Sequence, residues 1–289
     1  MFIGHSQLVK DFKELARRGK LAHGYIFFGE PEVGKFYFAK HLANFLETGE
    51  FSISSRPLQD LMVIDSTKNL KTDAIGIESV RLIKNFVYKK PAVSSKRTLV
   101  IDNADNLTDK AQAAILKITE EPPENAFLIL ILNNPDVLLP TILSRMQKIY
   151  FGRLSNSEME NVIQSSHKAT ADKARDKKII DLAWGRPGRA IHLLSDSITK
   201  KAESYAEKFL KLQGYARSKL IKEFIEEQKE LSEEKEGSGE LLLDRFFESL
   251  ILKLRGNLIN NAGTLKSALH RLFLIKSYNV NKRIQLEAL

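Results

Sequence analysis

Gly24-Tyr25-Ile26-Phe27-Phe28-Gly29-Glu30-Pro31-Glu32-Val33-Gly34-Lys35-Phe36 reads as a buried strand, a glycine-bounded loop and the first turn of a helix. Gly29 to Lys35 fits the pattern G-x-x-x-x-G-K, the first part of a phosphate-binding loop. Such a loop is a cradle of backbone N–H groups at a helix N-terminus, with a lysine placed on the phosphates. Taken alone, Gly34-Lys35 could close an ordinary loop. Its position between a strand and a helix favours the phosphate-loop reading. The next position departs from the pattern. A magnesium-holding loop needs Ser or Thr there, and Phe36 offers no oxygen. Glu30 and Glu32 bring carboxylates to a place meant for phosphate oxygens, where like charges repel.

Outward from this loop, short apolar runs alternate with amphipathic stretches. Lys35 to Leu46 is expected to be helical, Leu61 to Asp65 a second strand, and Ile77 to Tyr88 a helix carrying Val80, Ile83 and Val87 on its apolar face. Arg97 to Asp102 reads as a third strand, Asp109 to Glu120 as a helix, Ala126 to Asn133 as a fourth strand and Gln147 to Phe151 as a short fifth. Strands separated by helices imply right-handed crossovers and a parallel sheet. Runs apolar on both faces suit a sheet covered on both sides. After Phe151 the strand signals stop. Ser155 to Leu194 reads as small helices broken at Gly185-Arg186-Pro187-Gly188, and everything from Thr199 onward as helical or charged. Glu226 to Glu240, with Gly237-Ser238-Gly239, is expected to be a helix end plus a mobile loop. Leu241 to Leu254 and Leu265 to Tyr278 read as amphipathic helices.

At 289 residues the chain exceeds one average domain. It has no cysteine, which excludes disulfides, thiol catalysis and cysteine-based zinc sites. The six histidines are scattered without metal-ligand spacing. The longest apolar run, Ala126 to Leu132, is too short to span a membrane. The first residues show no basic segment followed by an apolar one, so no secretory signal is expected. The net charge of +9 suits a phosphate-rich partner and equally suits ordinary surface lysines.

A second strand-end motif lies at Leu99-Val100-Ile101-Asp102-Asn103. A strand ending in a surface acid is common. After a phosphate loop, however, this is where a magnesium-holding Asp and a following carboxylate base belong. Asn103 occupies the second place, and an amide takes no proton near neutral pH, so the base is missing.

The stretch from Asn106 to Pro123, with Ala113-Ala114-Ile115-Leu116-Lys117 running into Glu120-Glu121-Pro122-Pro123, resembles the "N-A-L-L-K-x-L-E-E-P-P" helix of bacterial clamp-loader ATPase subunits. Ser144-Arg145-Met146 is similar to that family's Ser-Arg-Cys motif after the fourth strand. Ile3-Gly4-His5, Leu21 to Phe27, and Asn279-Val280-Asn281 with Leu286-Glu287 match the family's opening and its last helix. The resemblance implies an AAA+ fold: a P-loop-type α/β domain over residues 1–152, a small helical lid over 153–197 and an all-α collar over 198–289 that holds a five-membered open ring.

The family contains ATPase motor subunits and a non-hydrolysing, delta-prime branch. Glu32, Phe36 and Asn103 point to the second. Gly188 agrees, standing where motor subunits carry a lid arginine, with Arg189 one residue and about 100° away. The family's cysteine zinc module is replaced by the short stretch Gly49 to Gln59, so no zinc is expected. By resemblance, Gly29, Gly34, Lys35, Phe36, Asp102 and Asn103 form a degenerate nucleotide site. No cofactor is required, although weak ATP binding stays open. Arg145, with Ser144 beside it, is implied to reach the ATP of an adjacent subunit as an arginine finger. The implied partners are the gamma/tau motor and delta subunits, the sliding clamp and primer-template DNA, in the cytoplasm at a bacterial, nucleoid-associated replisome and with no membrane. Two other readings stand: a divergent active clamp-loader motor, and an AAA+-like adaptor in a DNA-repair assembly.

Overall fold

The computed structural model describes residues 2–65, 75–166, 173–195, 197–234, 238–255, 258–278 and 280–289. Gly237 of the expected loop, Asn279 of the expected terminal motif and the side chain of Val80 lie outside them. The chain divides into two compact units, residues 1–190 and 191–289.

In the first unit a helix that the sequence signals do not announce, α1 (Ser6–Arg17), precedes β1 (Gly24–Phe28). Then follow α2 (Lys35–Thr48), β2 (Leu61–Asp65), α3 (Ile77–Val87), β3 (Arg97–Asp102), α4 (Asp109–Glu120), β4 (Ala126–Leu132), the single turn α5 (Pro140–Leu143) and β5 (Gln147–Tyr150). All four pairings in the sheet are parallel, in the order β2-β3-β4-β1-β5. Both faces are covered, as the apolar runs predict. Phe127, Ile129 and Ile131 of β4 point into a core with α1 and α2, while Leu128, Leu130 and Leu132 meet residues of α3, α4 and α5. Period-two alternation thus builds two cores from one strand. The first core is aromatic: Phe38 of α2 meets the rings of Phe2, Phe12, Phe27, Phe51 and Phe151 at 5.3–5.7 Å. That cluster fixes the helix that begins at the phosphate loop. α6 (Asn156–Ser165) and α7 (Lys173–Ala183) complete this unit, and α8 (Pro187–Ser195) begins in it. The break at Gly185 falls between α7 and α8.

The second unit contains α9 (Ser197–Lys211), α10 (Gly214–Glu234), α11 (Ser238–Arg255), α12 (Leu258–Ser277) and α13 (Lys282–Glu287). Its core joins Ala202, Ala206 and Phe209 to Phe224, Phe246, Phe247 and Leu250. The helix end expected within Glu226 to Glu240 lies at Glu234, residues 235–237 are outside the described residues, and the expected loop is corrected at Ser238 and Gly239, where helix resumes. The reason is a continued inward face, with Phe224 and Gln228 buried and Leu231 packed on the core. Among the described residues, no helix is long and apolar enough to cross a membrane.

Candidate functional site

Parallel strands bring their carboxyl ends to one edge of the sheet, and ligands of open α/β sheets bind there. At this edge the loop after β1, the acid at the end of β3 and the residue after β4 come together. Gly29 (φ +136°) starts the loop with its α-carbon against the chain leaving β5, where an added Cβ would collide with the Phe151 carbonyl oxygen. Only glycine allows that approach.

Lys35 is buried, and its Nζ donates to the Gly29 carbonyl at 2.5 Å, the Glu30 carbonyl at 2.7 Å and Asn133 Oδ1 at 3.2 Å. An ammonium has three N–H donors, and these three contacts use them on the chain's own groups. Burial pushes the Lys35 ammonium down to about 8, even though Asp105, Asp102 and Glu30 lie close enough to favour its charge. Asp102 accepts from the backbone N–H of Asn103 at 3.0 Å, and Asn103 itself is left-handed (φ 52°). Asp105 accepts from the Asn133 backbone N–H at 3.1 Å. Phe36 packs partly buried on the aromatic core, with the Lys40 ammonium 5.5 Å from its ring centroid.

The loop is also closed from the segment that follows the sheet. Glu30 does not aim its carboxylate at a phosphate position. Arg153 holds it by two hydrogen bonds, one of them at 2.9 Å from Nε. That hydrogen bonding, with charge from Arg153, Arg186 and Lys35, keeps the Glu30 carboxyl below the usual carboxylate range. Arg153 in turn lies 3.6 Å over the ring of Trp184, a residue in the left-handed region (φ 49°). The N–H of Gly188 donates to the Glu32 carbonyl at 2.9 Å, with Glu32 at φ 65°. A side chain at 188 would meet Glu32 Cβ at 3.0 Å. The absence of a side chain at Gly188 thus lets the first turn of α8 seat directly on the loop between β1 and α2.

At these positions Phe36 offers no oxygen to a metal ion and Asn103 no carboxylate, and Lys35 is bonded to two carbonyls of its own loop and to the Asn133 side chain. Asn133, Arg153 and Trp184 belong to no motif legible in the sequence. Asn133 carries a weak signal, as the first polar residue after a seven-residue apolar run. The Glu30–Arg153 pair spans 123 positions and carries none.

Ser144 and Arg145 lie elsewhere. They follow α5 and precede β5, at the amino ends of the strands. Met146, the next residue, would be 2.9 Å from a Cβ on Gly24, which opens β1. The phosphate loop opens where β1 ends, about 16 Å further along a five-residue strand. Arg145 is about one-third exposed: its Nη1 donates to the Thr141 carbonyl at 2.9 Å, and its Nη2 pairs with Glu120 Oε1 at 3.3 Å. The Ser144 hydroxyl donates to the Thr141 carbonyl at 3.0 Å.

Residues 4–155 match the family model described as "DNA polymerase III, delta subunit". The DNA polymerase III subunit gamma/tau of Mycoplasma genitalium is 29% identical over 219 residues, covering 70% of this chain and 36% of that protein. The DNA polymerase III subunit tau of Bacillus subtilis is 25% identical over 213 residues, covering 68% of this chain and 37% of that protein. The chain therefore matches little more than a third of the length of these curated relatives. A DNA polymerase III gamma subunit-related protein from Thermotoga maritima shares the fold, with a TM-score of 0.56, 17% identity and 96% of each chain covered.

Proposed function

The chain belongs to the DNA polymerase III delta-subunit family, a clamp-loader family of AAA+ proteins, and from that premise we propose that it is the delta-prime-type, non-hydrolysing subunit of a clamp loader. In this reading it turns over no ATP of its own and supplies Arg145 to the ATP of a neighbouring gamma/tau-type subunit. Residues 153–197 act as a lid fixed on a dead pocket. Residues 198–289 form the collar that holds the ring, and delta, the sliding clamp and primer-template DNA are the further partners.

The observation that carries the reading is the separation of the two sites. The arginine sits at the amino ends of the strands, and the phosphate loop at their carboxyl ends. A guanidinium there lies a full strand length from its own phosphate loop, which supports a phosphate supplied by another chain. Arginine suits that task because it is permanently charged and forks onto phosphate oxygens. It can stabilise charge developing on a transferred phosphoryl group. Its present ion pair with Glu120 is exposed and worth at most about 1 kcal/mol, so a triphosphate would displace it easily.

The test of the dead pocket uses the chain alone. Calorimetric titration with magnesium-ATP should give no saturable binding below about 1 mM, and no phosphate release that depends on Lys35. Micromolar binding with hydrolysis lost on Lys35→Ala would instead establish a divergent motor.

A further inference from the structure

Residues 49–59, which join α2 to β2, are held along their length. The amide of Asn44, a side chain only 3% exposed, donates to the Glu50 carbonyl at 2.9 Å and to the Ser52 hydroxyl at 3.2 Å. Phe51 meets the ring of Phe38 at 5.4 Å. The Ser54 hydroxyl donates to the Arg56 carbonyl at 2.7 Å and accepts the Arg56 N–H at 3.1 Å. The Glu47 carboxylate accepts the N–H groups of Gln59 and Asp60, each at 3.1 Å. α2 therefore grips both ends of the segment, and a packed ring and a tight turn set its middle.

This segment, with Lys40 of α2 and Leu61 of β2, bounds a cavity of about 180 Å³. Ile53, Pro57, Leu58 and Leu61 supply its apolar lining, and Ile53 is 39% exposed. Lys40 and Arg56 line it too, and among the described residues no carboxylate does. Arg56 is exposed, and among the described residues its guanidinium has no hydrogen bond or ion pair. The Lys40 ammonium stands 5.5 Å from the Phe36 ring, with no ion pair among the described residues.

Size decides what can enter. Pockets for cofactors run to about 300–1,000 Å³, so this one is too small for a nucleotide. A cavity of about 150 Å³ with apolar walls takes one benzene ring, so the space suits a single apolar side chain. Charge decides what lies beside that side chain. Two cations without carboxylate partners, on the lining of an apolar pocket, are complementary to an acidic stretch of chain. A second copy of this protein, carrying the same +9, is a poor source of one. The walls are already fixed, so little ordering is needed on binding.

We propose that this pocket is a docking site for an acidic peptide segment of a partner protein, which inserts one apolar side chain and lays its carboxylates on Lys40 and Arg56. The site is separate from the phosphate loop and from Arg145, and the proposal does not depend on the role given to that arginine.

The probe is a set of fluorescein-labelled peptides, each with three aspartates on either side of a central leucine, phenylalanine or serine. They are titrated with the full chain and read by anisotropy. The leucine or phenylalanine peptide should bind saturably with Kd below about 1 mM, and the serine peptide at least about tenfold more weakly. Arg56→Glu and Ile53→Asp, each folded by its unfolding midpoint, should both weaken the tighter peptide about tenfold. Should Ile53→Asp not fold, the methyl resonances of Ile53, Leu58 and Leu61 in the wild-type chain locate the peptide without it. Equal binding of the serine peptide would reduce the surface to charge alone and overturn the pocket. Binding that survives the variants, or shifts confined to other methyl groups, would place the peptide elsewhere and overturn it too. No binding by any of the peptides overturns the proposal, as does self-association of the chain that Ile53→Asp abolishes, which would make a second copy the occupant.

Discussion

Lys35 spends its three N–H donors on the chain's own groups. In a working loop its ammonium is stabilised by phosphate. Here it is buried against two carbonyls and an amide oxygen, and desolvation brings it down to about 8 from 10.5. Between those values the unfolded chain holds a proton that the folded chain has released. Stability from this group therefore rises with pH across that window, by up to about 1.4 kcal/mol per pH unit. Urea unfolding of wild type and Lys35→Met at pH 7.5 and 9.5 reads it. We expect the difference to move in favour of wild type at the higher pH, by about 1–2 kcal/mol. A pH-independent difference would mean the lysine is solvated. The departures from the two motifs are legible in the sequence, because Phe36 and Asn103 lack particular atoms. The destination of Glu30 is not, because its partner Arg153 is brought in by the fold. Repulsion of phosphate is what the sequence suggests for that carboxylate, and a bidentate arginine pair is what it makes.

At the scale of elements, the strands are readable because apolar runs buried on both faces leave a plain mark. β4, buried along all seven residues, is the clearest case. α1 leaves less to read. It starts at His5 in a left-handed conformation, with no side-chain cap and no acid in its first turn, so the usual start signals are missing. Only the spacing of Leu8, Phe12 and Leu15 marks it. The end of α10 is placed by the sequence only within Glu226 to Glu240, because acidic residues surround the inward Gln228 and Leu231 that carry the helix to Glu234. Loops are harder still, since their anchors are distant. The segment between α3 and β3 is held by Asp60, which accepts from the N–H groups of Ala92, Val93 and Ser94 at 2.7–2.8 Å and pairs with Arg97 at 3.5 Å. Burial alone would raise the Asp60 carboxyl. The three donors and Arg97 outweigh it and hold it below its usual 3.8. Such a group stabilises the fold above its unfolded value and loses that contribution as pH falls through the lower folded one. Asp60→Asn should cost about 1–3 kcal/mol at pH 7, with the gap to wild type closing below pH 3.8. Denaturant midpoints at about pH 7 and about pH 3 decide it, and an equal gap at both would remove the carboxylate from its assigned role.

For the whole molecule, the relevant fact is that a parallel sheet has two different ends. One carries the loop between β1 and α2, where Lys35, Glu30 and Glu32 are all engaged by the chain itself. The other carries an exposed arginine on a short turn, held by an ion pair weak enough to give up. On the proposed reading, chemistry that joins a triphosphate to this arginine involves two chains. That conclusion follows from strand direction and the position of two short motifs, and strand direction is already implied by the alternation of strands and helices. The side on which Arg145 stands follows from its place before β5.

The most direct measurement compares steady-state ATP turnover by the reconstituted loader containing wild-type chain with that containing Arg145→Ala, alongside proof that both assemble equally. With the arginine acting in trans, turnover at the site it faces should fall about a thousandfold, and DNA-stimulated loading of the clamp should fall with it. Undiminished turnover and loading in a fully assembled Arg145→Ala complex would contradict this division of labour between neighbouring chains.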